Sequence, residues 1–157
     1  MIEPTELRVG NYILFNNQPV MVKGVTANTV MLEGLMYETG DPNFPFDYKP
    51  IYAADTSLQP IPLCDTILQG VRSRVPRKSG FAYSYYGSRP TFLIYPDDKG
   101  YFIGMDYRGS VIHVTPNHVN TLHQLQNIYF AQYGLEMDIH ENRLKQAVVS
   151  AIAYKEI

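Results

Sequence analysis

The chain has 157 residues, 45% of them hydrophobic and 18% charged, with a formal net charge of −2. Those proportions suit a globular fold with a substantial core and exclude a wholly disordered chain. No apolar run approaches the roughly 20 residues that a membrane-spanning helix needs.

The opening residues, Met1 to Arg8, carry two acids and no apolar stretch, so they are not expected to act as a secretion signal. A single cysteine, Cys64, cannot close an internal disulfide, and a reducing, cytoplasmic setting is expected. Cys64 itself reads as a small buried hydrophobe. Thirteen tyrosines beside no tryptophan favour half-buried strands and contact surfaces, because tyrosine pairs an apolar ring with a polar tip.

In chain order, residues 7 to 35 read as short strands: Leu7–Gly10, Asn11–Phe15, Val20–Val25 and Thr29–Glu33. Each is β-branched or aromatic and bounded by Gly, Asn or Pro. Asn16-Asn17 is a tight hairpin turn, since asparagine tolerates positive φ. Four short strands so close together predict a small, strongly bent barrel of SH3-like type. From Met36 to Pro62 the alternation dissolves among prolines and reads as a long excursion. Asp65 is placed to cap a short helix through Gln69, with Gly70 ending it.

Strand patterns return at Phe81–Tyr86, Thr91–Tyr95, Tyr101–Met105 and Ser110–Val114, and the turns at 96–100 and 106–109 make the last three an antiparallel meander. The period then changes to helical. Leu122, Leu125, Ile128, Tyr129 and Tyr133 share one face, with Asn120 as N-cap and Gly134 as the left-handed residue after the end. A final helix follows, opened by Asp138 with Glu141 and striped by Leu144, Ala147, Val148, Ala151 and Ile152. The expected class is α+β. Residues 1–64 form an SH3-like small β-barrel with a long Pro-rich loop, and residues 65–157 form a unit in which the β-meander packs with two amphipathic helices.

Two segments, Glu6-Leu-Arg-Val-Gly-Asn-Tyr-Ile-Leu14 and His123-Gln-Leu-Gln-Asn-Ile-Tyr-Phe-Ala131, together with Lys49-Pro-Ile51 and Gln59-Pro-Ile-Pro-Leu63, resemble a group of uncharacterised bacterial proteins, many encoded in phage-like or conjugative elements. The resemblance covers Leu7 to Glu136. It implies a mobile-element setting and no particular activity, and the helix from Ile139 to Tyr154 lies beyond it.

Catalytic spacings are weak. His113, His118 and His123 recur every five residues but fall on a strand end, a loop and a helix start, without the spacing that presents zinc ligands on one face. Asp97-Asp98 sits at a hairpin tip and reads as turn chemistry. Asp41 and Asp47 flank a Pro-rich loop with too few oxygen ligands for a cation. Cys64 lacks the electropositive setting of a reactive thiol. No metal, cofactor or catalytic residue is therefore assigned, although an enzyme with a site assembled from His113, His118, His123 and Asp106 stands as an alternative.

One charge asymmetry remains. Thr66 to Pro96 holds Arg72, Arg74, Arg77, Lys78 and Arg89 and no acid, so it is formally +5, and the chain total of −2 leaves −7 for the remainder. Phe81, Tyr83, Tyr85 and Tyr86 are interleaved with those cations. Arg72, Arg74, Arg77, Lys78, Tyr83, Tyr85, Tyr86 and Arg89 are thus the candidate residues for a nucleic-acid-binding module, cations for phosphates and rings for bases. The competing reading buries the rings in the meander. The leading expectation is a non-catalytic interaction or accessory protein of a mobile element, engaging a protein partner or itself, with no membrane association.

Overall fold

The structure is a computed structural model describing residues 2–71, 73–77, 80–85, 91–107, 110–114 and 117–157; residues 73–77 and 80–85, Thr91, Tyr107, Val111 and His113 are described by their backbone alone. The chain is α+β, with two antiparallel five-stranded sheets and, among the described residues, three α-helices. Contacts divide it into two units, Met1–Ile61 with Leu122–Met137, and Pro62–Thr121 with Asp138–Ile157. This grouping differs from the expected 1–64 and 65–157.

In the first unit, β1 (Tyr12–Phe15), β2 (Gln18–Val25), β3 (Thr29–Glu38), β4 (Phe46–Tyr52) and β5 (Leu58–Gln59) form a curled half-barrel in the order β4-β3-β2-β1-β5. Asn16 and Asn17 join β1 to β2 with φ of 51° and 62°, the two positive values that a tight hairpin turn requires. The concave face holds Ile13, Val22, Val30, Leu32, Ile51 and Leu58, with Ile2 and Leu7 closing it from the N-terminus. Full burial of each such side chain stabilises by about 1.5–3 kcal/mol.

Leu7–Gly10 is not a strand. Pro4–Glu6 forms a 3₁₀ turn, and the Arg8 N–H then donates to Asn11 Oδ1 at 2.8 Å while the Asn11 N–H returns to the Arg8 carbonyl. Local side-chain to backbone bonding has displaced the ladder. Nor is Met36–Pro62 an excursion. β3 runs on to Glu38, and β4 follows as an edge strand in which Pro50 is tolerated because no neighbour needs its missing N–H.

The helix α2 (Leu122–Tyr133) lies against β1 and groups with the N-terminal strands. Its buried polar residue explains why. Gln126 Oε1 accepts the Tyr12 N–H at 2.8 Å and its Nε2 donates to the Gly10 carbonyl at 3.0 Å. Asn127 accepts from Asn11 Nδ2 at 2.9 Å and donates to the Glu6 carbonyl at 2.8 Å. Arg8 adds a bidentate pair with Glu136 and sits 4.0 Å from the centre of the Phe130 ring. Gly134 ends the helix with φ 66°, and its N–H bonds the Phe130 carbonyl.

In the second unit, β6 (Ser73–Arg77), β7 (Gly80–Tyr85), β8 (Thr91–Asp97), β9 (Gly100–Tyr107) and β10 (Ser110–His113) form a meander in sequence order. Phe92, Leu93 and Ile94 are fully buried, so both faces of the central β8 are covered. Helix α1 (Asp65–Val71) packs on α3 (Glu141–Ala153). Gly70, expected to end α1, lies inside it, because a Cβ there would come within 2.6 Å of the Ala147 methyl group. The glycine is an approach point between helices. α3 is capped by His140, whose Nδ1 accepts the Arg143 N–H, and not by Asp138.

Candidate functional site

Of the basic-aromatic candidates, Arg72, Lys78, Tyr86 and Arg89 lie outside the described residues, and Arg74, Arg77, Tyr83 and Tyr85 are described by backbone register alone. Arg74 pairs with Tyr83, Tyr83 with Ile94, and Tyr85 with Phe92. Ile94 and Phe92 are both buried, so positions 83 and 85 stand in cross-strand rows that contain core residues.

His118 and His123 take different surroundings. His113 is described by backbone alone. His118 Nε2 is 2.6 Å from Asp97 Oδ2, and this hydrogen bond, helped by the Lys99 N–H, holds the Asp97 carboxyl below the usual carboxylate range. Among the described residues no serine or cysteine is shown bonding to His118. His123 belongs to the first unit, buried on α2 with Glu6 Oε2 at 3.8 Å; burial lowers its pKa against the pull of that carboxylate. No group of three or more His, Cys, Asp or Glu among the described residues is placed to hold a metal ion.

Cys64 is half-buried. Burial, aided by Glu156, pushes its thiol up to about 11, the opposite of nucleophile activation. Glu156 also accepts from Thr66 Oγ1 at 2.8 Å and is held below its ordinary range, which ties the C-terminus to the start of α1.

The notable surface is the arm formed by β3 and β4. From Phe44 to Tyr52 every second residue is aromatic or proline: Phe44, Phe46, Tyr48, Pro50 and Tyr52. Alternation along β4 puts Phe46, Tyr48, Pro50 and Tyr52 on one face, and register brings Met36 opposite Tyr48 and Glu38 opposite Phe46. Phe44 is 74% exposed, Tyr52 69%, Phe46 57% and Met36 49%. The rings share no core: Ile51, on the other face, is the buried residue of β4. Apolar side chains scattered singly are ordinary, whereas these rings lie side by side.

The edge itself is partly closed to strand pairing. The Ala53 N–H bonds the Asn28 carbonyl and the Thr39 N–H bonds the Pro45 carbonyl, so odd-numbered residues of this segment turn their backbone groups to β3. Phe46, Tyr48, Pro50 and Tyr52 turn theirs away. Pro50 has no N–H, the Tyr48 N–H is held by Asp47 Oδ1 at 2.8 Å, and the Tyr52 carbonyl accepts the Asp55 N–H at 2.9 Å. Strand addition is thereby hindered at Tyr48, Pro50 and Tyr52.

The tip is ordered by its own hydrogen bonds. Thr39 Oγ1 donates to the Phe44 carbonyl and accepts the Asp41 N–H, while Asp41 Oδ1 accepts the Asn43 N–H at 2.8 Å. A hollow of about 360 Å³ lies there, bounded by Glu38, Gly40, Asp41, Pro42, Pro45 and Phe46. The period-two row at 44–52 was a readable signal; the prolines threaded through it concealed the strand.

Comparison with known protein families, with curated proteins and with solved structures finds no match for this chain.

Proposed function

We propose that the first unit is a non-catalytic protein-interaction module: an SH3-like use of a curled half-barrel, presenting Phe44, Phe46, Tyr48, Pro50 and Tyr52 to a protein partner. The single observation that carries this reading is the row of rings at and beside an edge strand, Phe44, Phe46 and Tyr52 exposed and Tyr48 half-buried, with no core of their own. An ordered tip supports it, since a preformed surface spends little ordering entropy on binding. The resemblance to proteins of phage-like and conjugative elements, and the absence among the described residues of any helix long and apolar enough to cross a membrane, fit a cytoplasmic accessory role in such an element.

Aromatic anchors at interfaces cost about 1–2 kcal/mol or more when truncated, so the F44A/F46A/Y52A variant is expected to lose at least tenfold in partner affinity. Affinity capture from host extract, run with wild type and variant in parallel, tests this. A partner retained by wild type and released by the variant, with unfolding unchanged, is expected. Equal capture by both proteins would overturn the reading.

A second reading rests on the acid-free +5 segment from Thr66 to Pro96, whose charge favours phosphate contact. It requires binding to single-stranded DNA or RNA at low salt that is weakened by replacing Arg72, Arg74 and Arg77 together. No binding at low salt would dismiss it.

A further inference from the structure

Resting on the interaction reading just given, we infer that the aromatic arm takes a cationic protein segment, with a lysine or arginine side chain seated in the hollow at its tip. Between Lys23 and Lys49 the chain has no lysine or arginine, yet it carries Glu33, Glu38, Asp41 and Asp47. Glu33 is answered by Lys23 at 3.5 Å. Among the described residues no cation pairs with Glu38, Asp41 or Asp47, and Lys49 falls on the face of β4 opposite the aromatic row.

Geometry then sorts those carboxylates. Register puts Glu38 on the same face as Phe46, and Glu38 and Asp41 both border the hollow that Phe46 also bounds. A guanidinium or ammonium group entering there meets two carboxylates and the negative face of an exposed aromatic ring, the combination that recognises cations by ion pairing and cation–π attraction together. The hollow is shallow and open to solvent, so a long basic side chain can reach it from outside. One carboxylate oxygen of Asp41 is already committed to the Asn43 N–H at 2.8 Å, which fixes the group in place and leaves its other oxygen for a ligand. Along the strand, Tyr48, Pro50 and Tyr52 then offer apolar contact to the residues flanking the cation.

The same charge argues against the other macromolecule that stacks on aromatic rings. Nucleic acid would bring phosphates to a surface bearing Glu38 and Asp41 without a compensating cation, a repulsive arrangement. A second copy of this chain would bring its acid-free stretch, but a heterologous contact of that kind propagates with concentration and is separable by measurement.

The test uses the full chain and a fluorescein-labelled decapeptide of alternating Arg and Gly, compared with its Gln-Gly counterpart by anisotropy at low and physiological salt. The Arg-Gly probe is expected to bind at least tenfold more tightly than the Gln-Gly probe, with affinity falling as salt rises. E38Q/D41N and, separately, F46A are each expected to weaken the Arg-Gly probe about five- to tenfold. No binding of the Arg-Gly probe, equal binding of both probes, or indifference to E38Q/D41N would overturn the inference. Light scattering that shows the free protein assembling at low salt, with the assembly abolished by E38Q/D41N, would overturn assignment to a separate partner. If the cation inference fails while F44A/F46A/Y52A still releases a captured partner, the interaction reading stands alone. If that variant captures as wild type does, the interaction reading itself falls.

Discussion

Replacing Gln126 by leucine isolates the joint between α2 and the N-terminal strands. In the native unit the carboxamide satisfies two backbone groups at once, the Tyr12 N–H at 2.8 Å and the Gly10 carbonyl at 3.0 Å, and the side chain is 1% exposed. Leucine fills a similar volume but offers neither bond, so a donor and an acceptor are left in a site that water does not reach. Each buried orphan costs about 1–3 kcal/mol, and the extra apolar contact of leucine returns about 1 kcal/mol, for a net loss of about 1–5 kcal/mol. For a chain of this length the corresponding fall in Tm is about 2–20 °C. Urea unfolding followed by far-ultraviolet circular dichroism measures the loss, and hydrogen exchange should show it concentrated in the amides of β1 and α2. Gln146→Leu on the exposed face of α3 is the control, expected to change stability by about 0.5 kcal/mol or less. A loss below about 1 kcal/mol for Gln126→Leu, or protection lost first in the meander, would refute the assignment of α2 to the N-terminal unit.

Three further outcomes are expected. Gly70→Ala should destabilise the second unit despite the better helix propensity of alanine, because its Cβ meets that of Ala147, and Ala147→Gly should offset the penalty in the double variant; additive effects in that cycle would show that the close approach is not the cause. His123, 3% exposed, has a folded-state pKa below its ordinary 6.5, so the unfolded chain binds the proton more readily; stability present above that pH is lost as pH falls through about 6.5, by up to about 1.4 kcal/mol per pH unit, and a His123→Gln variant should show a flatter pH profile between 7 and 5. Cys64, with its thiol near 11, holds about a hundredfold less thiolate than an ordinary cysteine, partly offset by higher intrinsic nucleophilicity; alkylation near pH 8 should be about tenfold slower in native than in urea-unfolded protein, and equal rates would contradict the burial argument.

Sequence patterning revealed the parts of this fold that rest on local chemistry. The Asn16-Asn17 turn, the meander, and the periodicity and Gly134 terminus of α2 all follow from φ preferences and apolar spacing. What patterning could not reveal is which element a helix packs against, because that depends on contacts distant in sequence. The clasp of Gln126 and Asn127 on Gly10, Tyr12, Asn11 and Glu6 spans more than a hundred residues and leaves no local mark. Gly70 misled for a related reason: a glycine that permits helices to approach is indistinguishable in sequence from one that ends a helix. The arm was obscured by its prolines, which signal a loop in an interior strand but are compatible with an edge strand such as β4. Its alternating rings were present in the sequence, and only the pairing of β4 with β3 turns that alternation into a face.

The most direct measurement of the arm as a docking surface places a photoreactive phenylalanine analogue at position 46 and, as a control, at position 149 on the exposed face of α3, and irradiates cells making each protein. The account predicts one covalent protein adduct from position 46, absent from position 149 and lost when Phe44 and Tyr52 are both alanine. The same adducts from both positions, or none from position 46, would contradict it.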